Sequence, residues 1–242
     1  MKKIFLSILF IFLVFPIAVN AEQYGLYKPD EYKYSATDSE KVLFIMDFSN
    51  SMTESLEGER KVDLMIKTMK EILPKINPNT SVGLRIYGHR MGLTPVEACR
   101  ASNLVTPIMK NSAPHIAQAL NKAKPRGMTP ITFSLKQAIR YDFMGFSGKK
   151  DIILLTDGGE NCDESPCKFV MELIKIRRDV SIDVIAFNIK DSDDLEQLQC
   201  TALVTSGKFY NPQTASELIQ SFNNSIGSVK NVEAQIISPM RK

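Results

Sequence analysis

The sequence predicts an α/β fold in which a mostly parallel sheet of about six strands carries helices on both faces. Short apolar runs alternate along the chain with segments whose apolar residues lie three and four positions apart. That alternation is typical of strands joined by crossover helices. The central runs at 152–156 and 182–189 also lack clean polar and apolar alternation, as expected when both faces of a parallel strand are covered.

The elements follow in order along the chain. The runs predicted to be strands lie at 42–48, 82–87, 104–109, 152–156 and 182–189, with a weaker sixth at 208–211. The segments with helical spacing lie at 62–73, 116–123, 131–139, 169–176, 195–203 and 218–226. The link at 88–103 resembles a hairpin connection more than a crossover, so we expect one edge strand to be antiparallel.

The first residues, MKKIFLSILFIFLVFPIAVNA, have the pattern of a secretory signal peptide: two lysines, an apolar stretch, and small residues at Val19 and Ala21. We expect cleavage after Ala21. Glu22 would then be the first mature residue, which suggests no lipid anchor. An uncleaved membrane anchor is the alternative, because the apolar run approaches the length of a spanning helix. The helix-breaking Pro16 and the cleavage-site pattern favour the signal peptide.

The predicted organisation is a signal peptide at 1–21, a polar lead-in at 22–40, one domain at 41–231 and a tail at 232–242. The tail is expected to be a short strand or a loose end. Roughly 220 mature residues suffice for one well-buried domain. The formal net charge of +3 falls to +1 when the two lysines of the signal peptide leave. This balance predicts no nucleic-acid partner and no membrane insertion after signal cleavage.

All four cysteines lie in the mature part, and an exported protein meets an oxidising compartment. They are Cys99, Cys162, Cys167 and Cys200. We therefore predict two disulfides, in loops or helix starts that follow strands. A zinc site is less favoured, because there is no Cys-x-x-Cys pair and neither histidine is close in sequence to a cysteine pair. Two pairings stay open: one contains Cys162–Cys167, and the other joins Cys99 to Cys162 and Cys167 to Cys200.

Oxygen-bearing side chains follow two of the predicted strands. Asp47, Ser49 and Ser51 come just after the first, and Asp157 follows the strand at 152–156. Open parallel sheets place ligand sites beyond the carboxyl ends of their strands, so two carboxylates are expected to meet there. Facing carboxylates without a nearby cation repel each other. Such a pair is therefore expected either to serve as acid/base machinery or to hold a metal ion. With the hydroxyl of Thr129, the set is all oxygen, which suits magnesium, manganese or calcium.

Each of these residues also has a simpler interpretation. The serines could cap the next helix, although that helix is predicted to begin near Lys61, beyond their reach. Thr129 could cap a helix that begins at Pro130. The acidic loop at 160–164 is expected to be solvated, and His89 is expected to make a structural hydrogen bond with neighbouring loops rather than act as a base.

The motifs DFSNS at 47–51, TP at 129–130 and TDG at 156–158 resemble the three parts of the metal-ion-dependent adhesion site (MIDAS) of von Willebrand factor type A (VWA) domains. The resemblance runs over roughly 40–230. YGHR at 87–90 and NCDESPC at 161–167 further resemble the exported bacterial branch of that family. Asn50 departs from the glycine that many relatives have at its position.

The resemblance implies a Rossmann-like, doubly wound domain and a bound magnesium ion, with manganese or calcium as substitutes. Ser49 and Ser51 would hold the ion, Thr129 would do so directly or through water, and Asp47 and Asp157 mostly through water. Such a site is implied to capture an aspartate or glutamate of a partner protein. We therefore expect a non-enzymatic protein-binding module that is secreted or periplasmic in a bacterial envelope.

Two other functions are carried as alternatives. A metal-dependent hydrolase would use the same ion and would need His89 or an acidic side chain of the 160–164 loop as its general base. A subunit that regulates a partner ATPase is the third hypothesis, and the export signal argues against it.

Overall fold

The computed structural model describes residues 40–162 and 164–236. The predicted signal peptide, the lead-in up to residue 39, Asp163 and residues 237–242 lie outside this description. The strands are β1 (Lys41–Asp47), β2 (Ser55–Leu56), β3 (Glu59–Arg60), β4 (Ser81–Tyr87), β5 (Ser102–Met109), β6 (Lys150–Thr156), β7 (Val180–Ala186) and β8 (Phe209–Tyr210). The helices are α1 (Lys61–Ile72), α2 (Pro95–Ala98), α3 (Ala113–Lys122), α4 (Ile131–Gln137), α5 (Pro166–Ile176), α6 (Ser192–Val204) and α7 (Ala215–Ile236).

The central sheet has six strands in the order β5-β4-β1-β6-β7-β8. Every neighbouring pair is parallel except β4 and β5, which are antiparallel. The sheet therefore confirms the predicted α/β class and the antiparallel edge strand. Because the chain leaves β1 toward β4 on one side and later returns to β6 on the other, the carboxyl ends of β1 and β6 border a crevice at the switch in strand order.

Two hydrophobic layers cover the two faces of the sheet, and β1 shows why. All seven residues of β1 are buried. Phe44 and Met46 pack into a cluster with residues of α1, α3 and α7. Leu43 and Ile45, which point to the opposite face, pack with residues of α4, α5 and α6. A strand buried on both faces has no reason to alternate, and this explains its continuous apolar run.

The structure departs from the predicted boundaries in a few places. α4 continues as a π-helical turn over Ala138–Asp142. The pair β2 and β3 and the short helix α2 were not predicted, because elements of two to four residues are too short to show a period.

α7 continues through Ile236 and so includes 232–236, which the sequence predicted to be tail. Gly227 interrupts the apolar pattern there, but a glycine weakens a helix without ending it. Within the described part of the chain, no helix has both the length and the apolar character needed to cross a membrane.

Candidate metal centre

Asp47 is the last residue of β1 and is completely buried. Its Oδ1 accepts a hydrogen bond from the backbone N–H of Ser49 at 2.6 Å. Its Oδ2 accepts one from the hydroxyl of Thr156, the last residue of β6, at 2.9 Å. The carboxylate is thus held between the ends of two adjacent parallel strands, where the sequence placed it.

The hydroxyls of Ser49 and Ser51 face each other, and the hydroxyl of Ser51 also contacts Asp157. Ser49 Oγ lies 3.0 Å from Ser51 Oγ, and Ser51 Oγ donates to Asp157 Oδ1 at 2.7 Å. A 3₁₀ turn over Asn50–Thr53 begins after Ser49, yet the Ser49 side chain makes no capping hydrogen bond to it. The serines therefore do not serve as helix caps, and α1 begins at Lys61 as predicted.

The loop that carries Thr129 lies beside the serine loop. Gly127 pairs with Ser49 in a parallel bridge, and the Asn50 N–H donates to the Gly127 carbonyl at 3.0 Å. Gly88 makes this approach possible, because a Cβ atom there would lie only 2.5 Å from the Ser49 nitrogen.

Thr129 itself is buried, at 4% exposed. It does not cap α4, which begins at Ile131 with Pro130 at the N-cap position. Thr129 makes no direct hydrogen bond to the other four predicted ligands, all of which lie in the described part of the chain. The structure thus links Asp47, Ser49, Ser51 and Asp157 through hydrogen bonds, and brings the backbone of the Thr129 loop alongside them.

The two carboxyl groups have raised pKa values. Burial, and then the nearby Asp157, raise the pKa of Asp47 to about 7, against the opposing effect of its hydrogen bonds with Ser49 and Thr156. Burial also raises the pKa of Asp157, although Ser51 and Lys61 oppose that rise. Two close carboxylates in a dry site are the arrangement that a cation relieves.

Lys61 is a member of this site that sequence reasoning missed. It is the first residue of α1 and is 5% exposed. Its Nζ lies 3.0 Å from Asp157 Oδ2 and 2.7 Å from Glu54 Oε2. One signal was available: Lys61 precedes the buried Met65 by four positions, so a charged residue occupies the apolar face of the predicted helix.

Tyr87 is a second neighbour that the sequence did not identify. It pairs with Asp47 across β1 and β4. Its hydroxyl is buried without a hydrogen-bond partner in the described part of the chain. Burial first, and then the negative charge of Asp47, raise the pKa of Tyr87 well above its ordinary value. The hydroxyl is therefore close enough to Asp47 and Thr156 for both to affect its pKa.

The loop that follows Asp157 is exposed at Asn161 and Glu164, as the sequence predicted, yet Asn161 and the partly buried Glu160 also make structural hydrogen bonds. The side-chain oxygen of Asn161 accepts a hydrogen bond from the Thr129 N–H at 2.7 Å. Glu160 is partly buried and accepts one from the Thr132 N–H, in the first turn of α4, at 2.7 Å. The loop after Asp157 therefore fixes the backbone of the loop that contains Thr129.

The disulfides join Cys99 to Cys162 and Cys167 to Cys200, the second of the two pairings left open. The first connects the end of α2 with the loop next to Asn161. The second joins the start of α5 to α6. The position of Cys200, within α6, differs from the loop or helix start that was expected.

The buried Nδ1 of His89 has no hydrogen-bond partner among the residues that the structure describes. Burial and the neighbouring Arg90 lower the pKa of His89 to about 4, and its contact with Asn103 opposes that shift. The imidazole is therefore neutral at pH 7. The contact with Asn103 of β5 agrees with the structural role that the sequence favoured.

The donor set fits a hard divalent cation. Hydroxyl and carboxylate oxygens meet at one point, and oxygen ligands are those that magnesium, manganese and calcium prefer. Within residues 40–162 and 164–236, no three His, Cys, Asp or Glu side chains come together as a metal site. The oxygen donors grouped beside the two carboxylates are the hydroxyls of Ser49 and Ser51.

Comparisons with known proteins agree with this picture. The family model of the von Willebrand factor type A domain matches residues 41–224. The uncharacterized protein YwmD of Bacillus subtilis (strain 168) is 30% identical over 190 residues, covering 75% of this chain and 82% of the relative.

Two solved structures share the fold at lower identity. A von Willebrand factor type A protein from Catenulispora acidiphila superposes with a TM-score of 0.63 at 17% identity, covering 79% of this chain and 43% of that one. Proximal thread matrix protein 1 from the mussel byssus, in a structure with a zinc-occupied MIDAS motif, superposes with a TM-score of 0.58 at 22% identity, covering 76% and 44%. The family match over most of the chain identifies this protein as a member of the von Willebrand factor type A domain family.

Proposed function

We propose that the protein is an exported, non-enzymatic adhesion module of a bacterial envelope whose bound divalent cation captures a carboxylate of a partner protein. Ser49, Ser51 and Thr129 would supply hydroxyl ligands, while Asp47 and Asp157 would hold the ion's water shell. The observation that carries the proposal is the hydrogen-bonded chain from Ser49 through Ser51 to Asp157, beside a buried Asp47. The two disulfides are consistent with an oxidising compartment.

The charges around the site explain why a carboxylate is the preferred partner group. Lys61 already neutralises much of the charge on Asp157, since its ammonium lies 3.0 Å from that carboxylate. Among the buried groups Asp47, Asp157 and Lys61, a bound divalent ion would leave one surplus positive charge, which the exposed Glu54, 2.7 Å from Lys61, offsets only in part because solvent screens it. When bound, the ion would supply an open coordination position, and an aspartate or glutamate of the partner would neutralise the remaining positive charge.

The hydrolase alternative lacks support from the site geometry. His89 has a pKa of about 4, far below the value at which a general base works well near neutral pH. Glu160 uses its oxygens to accept backbone hydrogen bonds from Thr132 and Cys162. Neither group is therefore placed to activate a water molecule beside Asp157.

Calorimetric titration of magnesium and manganese into chelator-treated protein tests the proposal. We expect one saturable site in the wild type that is lost when Ser49→Ala and Ser51→Ala are combined. Ser55→Ala is the matched control, because it removes an exposed hydroxyl only four residues further along the chain.

Such sites bind weakly until a carboxylate completes them, so each titration is repeated with excess acetate. Absence of binding to the folded wild type in both conditions would refute the proposal. Equal binding by the double serine variant would refute the assignment of the hydroxyl ligands.

A further inference from the structure

A groove borders the candidate metal centre on the α1 side of the molecule. It lies between α1 and the segment 121–126, which spans the end of α3 and the loop after it, and it has a volume of about 780 Å³. Its lining includes Thr53, the last residue of the turn that contains Ser51. It also includes Arg126, which directly precedes the glycine that pairs with Ser49. The groove is therefore lined in part by the two loops that carry predicted ligands.

The side chains that line this groove are strongly biased toward positive charge. Its two carboxylates are already paired: Asp63 accepts two hydrogen bonds from Arg60, and Glu59 lies 3.4 Å from Lys67.

Three further cations, Lys70, Lys124 and Arg126, also line the groove and are exposed. None of the three has an ion-pair partner among the residues that the structure describes. The groove consequently presents three uncompensated positive charges.

The floor of the groove is apolar. Val62 is buried, and Ile66, Ala123 and Pro125 are partly buried along it. From Arg60 to Lys70 the helix rises about 15 Å, which is the span of four or five residues of an extended chain. An apolar floor under a cationic rim complements a segment that mixes acidic and apolar side chains. Bare polyanions such as nucleic acid would gain nothing from that floor.

We propose that this basic groove, defined by Lys70, Lys124 and Arg126 around an apolar floor, binds an acidic, extended segment of the partner protein. The segment would continue from the carboxylate captured at the cation. This inference rests on the proposed function and adds a partner chemistry to it: several acidic residues with apolar neighbours within one short stretch. The groove would supply specificity and faster association, because paired opposite charges steer the encounter.

Fluorescence anisotropy with a labelled peptide of alternating glutamate and leucine tests the groove. The triple variant Lys70→Gln, Lys124→Gln and Arg126→Gln removes the three charges from exposed positions. The matched control, Lys110→Gln, Lys190→Gln and Arg178→Gln, removes the same charges from exposed positions outside the groove. In magnesium, we expect the groove variant to bind the peptide at least tenfold more weakly than the wild type, and the control to stay within about twofold.

Magnesium titration and peptide binding together distinguish failure of the groove assignment from failure of the proposed metal site. Magnesium titration of the groove variant should match the wild type, because the substituted side chains are not ligands. If metal binding is intact but the groove and control variants lose peptide affinity equally, the groove assignment is wrong while the metal site stands. A glutamine-for-glutamate peptide that binds as well as the acidic one, or a thymidine dodecanucleotide that binds the groove more tightly, would also overturn it.

Discussion

Asp47 is the residue on which the electrostatics of the site depend. It is completely buried, and its pKa of about 7 lies within the physiological range. Cation binding requires the ionised carboxylate, so binding must displace a proton whenever the pH is near or below that pKa. We predict that magnesium affinity falls about tenfold between pH 8 and pH 6.

Calorimetry at pH 6.5 in two buffers of different ionisation enthalpy measures the released proton directly. The apparent binding enthalpy should differ between the buffers for the wild type and for Ser55→Ala alike. An affinity that does not change between pH 6 and pH 8 would show that Asp47 does not lose a proton to the cation.

Lys61 is the second residue for which the site makes a prediction. Its ammonium competes with any cation for the negative charge of Asp157, since the two groups are 3.0 Å apart in a buried setting. Lys61→Gln should therefore tighten magnesium binding about tenfold at pH 8. It should also lower the melting temperature of the metal-free protein, because Asp157 loses its main counter-charge.

Calorimetry at pH 8 and a thermal melt without metal measure the two effects. Lys67→Gln is the control, since that lysine is exposed on the same helix and pairs with Glu59 rather than with a predicted ligand. Weaker magnesium binding by Lys61→Gln would mean that the lysine positions Asp157 rather than competing for it.

The sequence could indicate Asp47, Ser49, Ser51 and Asp157 because strand ends in a parallel sheet must meet at one edge. It gave no signal for Tyr87, and for Lys61 it showed only a charge on the apolar face of a helix, without the carboxylate that the lysine meets. Their side chains reach the carboxylates from α1 and β4, and that reach depends on helix packing and strand register, which no local pattern encodes. The metal-binding role of all five predicted ligands stays a prediction.

At the scale of elements, one disulfide adjoins the candidate site and the other joins two helices of the scaffold. Cys99–Cys162 joins α2 to the loop whose Asn161 accepts the Thr129 N–H. Cys167–Cys200 joins α5 to α6, away from that hydrogen bond. Their loops span 63 and 33 residues, so chain entropy predicts a similar stabilisation of roughly 4 kcal/mol for each.

Two variants test this difference, each with both cysteines of one disulfide replaced by serine. Urea unfolding should show comparable losses of stability, while calorimetry should show weaker magnesium binding only for Cys99→Ser with Cys162→Ser. We expect at least a threefold loss for that variant, because Thr129 would be less well positioned. Equal magnesium affinities for the two variants would show that the first disulfide does not support the site.

The sequence could not show which of these cysteines pair with each other, and the reason is physical. Four cysteines allow several pairings, and only the packing of α5 against α6 and of α2 near the 160–164 loop decides among them. The same limit applies to Glu160 and Asn161. Their composition indicated a solvated loop, yet they hold the Thr129 loop and α4 through backbone hydrogen bonds.

At the scale of the whole molecule, the site reduces the stability of the metal-free fold. The carboxyl of Asp47 has a pKa of about 7 in the folded protein, against the ordinary aspartate pKa of 3.8 that it regains when unfolded. As the pH rises through this window, the folded state is therefore progressively disfavoured. Asp47→Asn should raise the free energy of unfolding without metal at pH 8 by on the order of 2 kcal/mol.

Urea unfolding at pH 8 and at pH 4 measures this effect. The gain should shrink toward zero at pH 4, where the wild-type carboxyl is neutral in the folded state. Magnesium should raise the melting temperature of the wild type and leave that of Asp47→Asn unchanged. A variant less stable than the wild type at pH 8 would show that the carboxylate is not strained by burial.

The overall fold was predictable because its strands are long apolar runs that alternate along the chain with segments of helical spacing. The continuous run in β1 follows from burial on both faces, and the antiparallel β5 follows from the link that precedes it. The end of α7 was not predictable, because Gly227 masks the continuation of the helix through Ile236.

Anomalous scattering from crystals soaked in manganese and acetate shows directly whether Ser49 and Ser51 bind a divalent cation. We predict one strong peak at about 2.1 Å from the hydroxyl oxygens of Ser49 and Ser51, with an acetate oxygen in the open position. We expect no such peak in crystals of the double serine variant. A peak beside other carboxylates, or no peak at this site in well-ordered wild-type crystals, would contradict the proposed metal site.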